Sequence, residues 1–188
     1  MCKYNGSFEF NVYHAIQEII EKGNNSFKKY KWLNYKKLAD CFLPPGTNRS
    51  KINISAIHYF TALTHWNPDK LIRHRKYIHV LNDLGVNIIH GRFRQVDKYC
   101  TKCKQFYKTH EEKRTDVNIA INLFREAMHE NFDIAIIISG DSDLIPSIEA
   151  TKSCFPQLQF GIVIPINKQA KELISVAHFH MKMKEHHL

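Results

Sequence analysis

One short run constrains this chain more than any other. Asp133 to Ile138 reads Asp-Ile-Ala-Ile-Ile-Ile, a strand apolar on both faces that has to be covered from two sides. Its expected place is the middle of a parallel sheet with helices above and below. The flanking periodicity agrees. Asn11 to Lys22 reads as a helix with Val12, Ala15, Ile16, Ile19 and Ile20 on one stripe, ended by Gly23. Leu38 to Phe42 closes a short helix before Pro44-Pro45-Gly46, and Lys51 to Leu63, rich in Ile and aromatics, reads as a strand. Asn67-Pro68-Asp69 starts a helix that runs through Leu84 to Gly85, and Val86 to Ile89 is a short strand. From Asp116, Ile119, Ala120, Leu123, Phe124, Ala127 and Met128 repeat at helical spacing; Gln159 to Ile164 is a strand and Gln169 to Ile174 a helix. Strands and helices alternate, so the fold class is α/β, a Rossmann-like open, mostly parallel sheet flanked by helices. The 188 residues, 44% of them apolar, are expected to form a single domain, with a basic Cys-x-x-Cys insertion around 93–110.

In such sheets ligands sit beyond the carboxyl ends of the strands, so the chemistry is sought directly after Ile138. There the sequence reads Ser139-Gly140-Asp141-Ser142-Asp143. Two carboxylates two residues apart on a tight turn can converge on one hard cation, while the plainer reading is that Ser142 or Asp143 caps the helix beginning near Leu144. A second acidic cluster, Glu111-Glu112-Lys113-Arg114-Thr115-Asp116, opens the helix upstream. Asp116 there can serve the helix dipole or point into the cleft above the strand ends. Carboxylates from separate segments are what a Mg²⁺ or Mn²⁺ site for phosphodiester hydrolysis requires.

Glu112-Lys113-Arg114-Thr115-Asp116-Val117-Asn118-Ile119-Ala120 followed by Asp133 to Asp143 resembles the NYN domain family, PIN-like nucleases of the LabA or DUF88 type. The likeness takes in Tyr77 to Gly91 and extends over about Phe10 to Ala177. It implies a PIN-like fold and divalent-metal-dependent cleavage of RNA, with Asp116, Asp141 and Asp143 at the family's acidic positions and Asn11 supporting the cleft. Asn118 and Ser139 are further candidates for contacts to carboxylates or substrate, against ordinary hydrogen bonding at a helix end and a turn. The chain departs from the family pattern at the end of the first strand, where Asp-Gly-x-Asn is usual. Phe8 stands at the Asp position and Glu9 at the Gly position, and Cys2 to Ser7 shows little of the apolar strand expected before them. Glu9 is the candidate replacement carboxylate. Without it the reading becomes a catalytically impaired RNA-binding or regulatory module. The Asp-x-Asp of haloacid dehalogenase-like phosphatases is a poorer match, because that motif belongs on the first strand and Asp143 lies late in the chain.

Charge points to the same partner. Lys and Arg total 27 against 18 Asp and Glu, a net +9, which favours a polyanion. Lys28-Lys29-Tyr30-Lys31-Trp32 and Tyr35-Lys36-Lys37 interleave lysines with aromatics, the composition of a surface that follows phosphates and stacks on unpaired bases, or of a solvated face whose aromatics fill the core. Arg92 and Arg94 add to it. Single-stranded RNA is the expected partner, with DNA also admitted as substrate and a homodimer as assembly. No apolar run approaches the roughly 20 residues that cross a bilayer. The polar Met1 to Ser7 and the five cysteines, an odd number, suit the reducing cytoplasm. Cys100-Thr-Lys-Cys103, expected in an irregular basic segment, can give two thiolates to a structural Zn²⁺ completed by His110, His90 or Cys41. A reduced free pair and a redox motif are the other readings of it.

Overall fold

The structure is a computed structural model describing residues 2–9, 11–44, 48 and 52–188; for residues 2–9, 11 and 14 the description is of the backbone. Its centre is a six-stranded parallel sheet. In chain order the strands are β1 (Cys2–Glu9), β2 (Ile52–Thr61), β3 (Asn87–His90), β6 (Ile134–Ile138), β7 (Gln159–Ile164) and β8 (Phe179–Lys182), arranged 3-2-1-6-7-8. The order reverses between β1 and β6, which is where an open α/β sheet forms its ligand crevice. Helices α1 (Asn11–Glu21), α2 (Tyr35–Cys41) and α3 (Pro68–Asp83) precede the crossover to β6, and α4 (Thr115–Met128), α5 (Ile145–Cys154) and α6 (Lys171–Ser175) lie around it and after it.

Strand β6 explains the layering. Its side chains alternate between faces. Ile134, Ile136 and Ile138 enter one core with Val12 and Ile16 of α1, Leu38 of α2 and Leu81 of α3. Ala135 and Ile137 enter a second core with Ile119 and Leu123 of α4, Ile148 of α5 and Leu173 of α6. All five β6 residues are buried, as a strand covered from both sides requires. Helix α3 starts as its sequence predicts, with Pro68 in the first turn and the Asn67 side chain accepting the Lys70 N–H at 2.9 Å.

Two expectations are corrected. The first strand, faint in the sequence, is a full strand at the centre of the sheet: Phe8 pairs with Ile138 on one side and Tyr59 on the other. Two neighbouring strands supply its backbone partners, so the segment needs no apolar run of its own to be held. The segment around 93–110 is not irregular. It forms an antiparallel hairpin, β4 (Arg92–Cys100) with β5 (Gln105–Lys113), outside the main sheet. Glu111 and Glu112 therefore end β5 instead of opening a helix. Lys98 and Lys113 both bridge to Glu111, at 2.9 and 3.0 Å, while Trp66 stacks on His110 and meets the Phe93 edge.

Candidate functional site

Strand β6 delivers Ser139 to the carboxyl edge of the sheet, and the chain then turns. Ser139 is fully buried and its Oγ accepts the Asp141 N–H at 3.0 Å, which fixes the turn. Asp141 accepts the Asp143 N–H at 3.0 Å and so caps the 3-10 turn Ser142–Leu144 that leads into α5. Capping uses one oxygen of a carboxylate that has two, so the cap leaves a second oxygen that could meet a cation.

From the other side, β5 turns into α4 through Arg114, which adopts φ 79, a left-handed conformation that strains a residue with a side chain. That turn places Asp116 in the first turn of α4. The base of the hairpin is held tightly here: a Cβ on Gly91 would lie 2.5 Å from Thr115 Oγ1, so this position has no room for a side chain. The Asn118 Nδ2 donates to the His90 carbonyl at 3.2 Å and ties α4 to the end of β3.

The result is a cluster. Carboxylate oxygens of Asp116, Asp141 and Asp143 all lie within 4.8 Å of one another. Partial burial, then the charges of Asp141 and Asp143, push the Asp116 carboxyl above its usual range. Three like-charged groups held so close repel, and a hard divalent cation resolves that repulsion with the oxygen donors it prefers; opposite ligands around such an ion stand some 4–5 Å apart. The donor set therefore fits Mg²⁺ or Mn²⁺.

Glu112 stands beside the cluster without belonging to it, a role the sequence did not single out. It accepts the Thr115 hydroxyl at 2.5 Å, and burial, then the Asp116 charge, raises its pKa. Strand alternation is the signal that distinguishes it from Glu111, whose carboxyl the two lysines hold down to about 2.

A cavity of about 450 Å³ opens on the α1–α3 side, lined by Tyr13, Gln17, Glu21, Lys31, Trp32, Lys70, Arg73 and His74, with Tyr59 and Tyr77 in its wall. Of the basic and aromatic run, Lys31 and Trp32 face this cavity, whereas Lys28 and Lys29 are exposed on the 3-10 helix Asn25–Trp32. Arg92 and Arg94 are exposed on the first residues of β4. Glu9 ends β1, paired with Phe60, and Asn11 begins α1; the side chains of both lie outside the described residues. Cys100 and Cys103 sit at the hairpin tip, apart from the residues expected to complete a zinc site. His110 is stacked on Trp66, His90 ends β3, and Cys41 lies on α2 with its thiol on the Lys37 carbonyl. The regular hairpin ladder explains the separation, since it carries the tip away from the sheet.

A parallel open sheet with three acids at the carboxyl edge of its switch point defines a PIN-like α/β domain. Residues 11–182 match the NYN domain, and the chain belongs to that family of PIN-like nucleases. The sequence is 27% identical over 131 residues to 6-hydroxy-3-succinoylpyridine 3-monooxygenase HspA of Pseudomonas putida, a stretch that is 66% of this chain and 40% of that protein. The chain thus spans well under half the length of this curated relative. A crystal structure of a protein of unknown function from Vibrio parahaemolyticus has the same fold, with a TM-score of 0.64 and 14% identity over 98% of this chain and 94% of that one.

Proposed function

We propose that this NYN domain is a divalent-metal-dependent endoribonuclease acting on single-stranded RNA. The observation that carries the reading is the approach of three carboxylates, one from α4 and two from the turn after β6, to within 4.8 Å. Asp116, Asp141 and Asp143 would hold Mg²⁺ or Mn²⁺. When bound, such an ion neutralises charge on the phosphoryl group and supplies an activated water.

The remaining work belongs to the chain. Lys31, Lys70 and Arg73 meet backbone phosphates, and Trp32, 54% exposed, offers a ring face to an unpaired base. Arg92, Arg94, Lys28 and Lys29 extend the cationic surface that draws RNA to the cleft, so affinity falls steeply with salt. Asn11, Asn118 and Ser139 support the acids, and Glu9 supplies the first-strand carboxylate. Cleavage leaves 5′-phosphate and 3′-hydroxyl ends. The free thiols of Cys41, Cys100, Cys103 and Cys154 suit a reducing cytoplasm. Among the described residues no helix is long and apolar enough to cross a membrane.

The reading rests on the acids and not on the monooxygenase named for the curated relative. Its rival keeps RNA binding and loses cleavage, because Phe8 occupies the register position beside Ile138 where the family places an Asp. Incubating short single-stranded RNA with the protein and Mn²⁺, beside Asp141→Asn, separates the two. Cleavage by the parent that falls by about 10²-fold or more in the variant, with RNA affinity kept, is the expected result. Equal cleavage by both, or none by either, rejects the nuclease reading.

A further inference from the structure

The cavity between α1 and α3 gathers cations and leaves them unneutralised. Lys31 of the 3-10 helix and Lys70 and Arg73 of α3 all line it. Among the described residues none of the three makes an ion pair. Glu21 is the one carboxylate among the described lining residues, and it takes the Gln17 amide instead, Nε2 donating to Oε1 at 3.0 Å. Burial, then the Lys70 charge, keeps the neighbouring His74 neutral, so it adds nothing to the balance. Three cations less one carboxylate leave this wall with an excess of two positive charges. Like charges gathered around one hollow repel, and an anion seated there relieves them.

Topology places the cavity and its size limits the occupant. Helix α1 leaves the carboxyl end of β1 and α3 follows that of β2, two neighbouring parallel strands. Tyr13 and Lys70 lie in the first turns of those helices, so the cavity begins at the carboxyl edge of the sheet. Strand β6 runs parallel to β1 and brings Asp141 and Asp143 to that same edge. About 450 Å³ falls near the lower end of the roughly 300–1,000 Å³ of ligand sites, room for one nucleotide and not for a length of strand. One wall is aromatic. The Tyr77 hydroxyl donates to the Leu33 carbonyl at 2.6 Å, and its ring holds Trp32 in a T-shaped contact at 5.7 Å. Trp32 stays 54% exposed, a surface on which one base can stack.

The charge excess selects among phosphates. A diester inside a strand carries a single negative charge, whereas a phosphomonoester carries about 1.5 to 2 at neutral pH. We propose that the cavity holds the terminal nucleotide of an RNA strand by its phosphorylated end, with Lys31, Lys70 and Arg73 on the phosphomonoester and Trp32 on the base. The choice of RNA rests on the nuclease reading above; the selection of a terminal phosphate rests on the cavity. A strand that ends in hydroxyls has only diesters to offer and is left with the outer cationic surface.

The test uses the full chain with EDTA present, so that nothing is cut. Short RNA of one sequence, carrying a 5′-phosphate, a 3′-phosphate or neither, is titrated by calorimetry. A phosphorylated end is expected to bind about tenfold or more tighter than the unphosphorylated strand, and the two arms tell which end is read. Arg73→Ala and Lys70→Ala, neither in the core, keep the parent Tm and lose that preference. Lys28→Ala, on the 3-10 helix outside the cavity, weakens all three strands alike. Equal affinity for the three strands, a preference that persists in both α3 variants, or a free nucleoside monophosphate bound as tightly as the phosphorylated strand overturns the proposal. With Mn²⁺ in place of EDTA the two readings part: cutting without an end preference rejects this site alone, and an end preference without cutting rejects the nuclease alone.

Discussion

Every residue of β6 is buried, and on β5 none is. The two strands share one kind of backbone ladder and differ in what covers it. β6 places isoleucines in two cores, one on each face of the sheet, so its position is determined by burial from both sides. β5 pairs only with β4, and the hairpin meets the body chiefly through Trp66 against His110 and Phe93 and through the tight Gly91–Thr115 contact at its base. The acids stand where the two regions join: Asp141 and Asp143 follow β6, and Asp116, in the first turn of α4, follows the end of β5 by three residues. Rigid positioning of two acids thus comes from the sheet, and the third is anchored beside the longer but more exposed strand.

Substitutions can break that contrast. Ile136→Ala removes a fully buried side chain from the centre of the first core and is expected to cost about 2–5 kcal/mol of folding stability in urea unfolding. Phe106→Ala, on the hairpin, is expected to stay within about 0.5 kcal/mol because the ring is already in water. Equal losses in the two variants would show that the hairpin is part of the cooperative core.

A second, smaller effect comes from pH. His74, on α3 beside Thr61 of β2, is held down to about 4 by burial and then by the nearby Lys70 charge, against an ordinary value of 6.5. His58 on β2 is lowered for the same first reason, and among the described residues both its ring nitrogens lack a hydrogen-bond partner. Lowered histidines favour the neutral form in the fold. Their contribution is complete above pH 6.5 and is lost as pH falls from 6.5 towards 4, by about 1–2 kcal/mol for His74 after allowing for its partial exposure. Glu111 of the hairpin behaves differently: its depressed carboxyl contributes above pH 4.5 and loses that contribution only as pH falls towards 2. Urea unfolding across pH 7 to 4 should therefore steepen in the sheet's window, and His74→Gln should flatten the slope. An unchanged slope in the variant would remove His74 from this account.

The smallest expected change is local. Trp66→Ala deletes the ring stacked 3.6 Å from His110 and is expected to cost about 1 kcal/mol, read as faster amide exchange over β4 and β5 with β6 unaffected. Faster exchange throughout would mean that Trp66 supports the sheet as well.

Legibility followed burial. The β6 run, the α4 stripe and the Asn67-Pro68 start of α3 were readable because their side chains meet the core with a fixed period or satisfy a helix end. β1 was not, since its partners are backbone groups of strands about 50 and 130 residues further along. The hairpin was missed because its two strands are polar and face water, leaving no apolar alternation to read. In the site, Asp116, Asp141 and Asp143 were recognisable as acids at the start of a helix and the end of a strand. Glu112 was hidden by its identical neighbour, and the sharing of one cavity by Tyr13, Lys31 and Arg73 by the distance between their segments.

By itself the sequence determined the layered α/β arrangement and the three acidic positions, because apolar period and the residue types after a buried strand are local properties of the chain. Only the tertiary structure decided that the acids converge, that residues of α1, α3 and the 3-10 helix line one cavity, and that the two cysteines fall at a hairpin tip. Those outcomes depend on which distant backbones pair, and pairing is settled by the whole sheet at once.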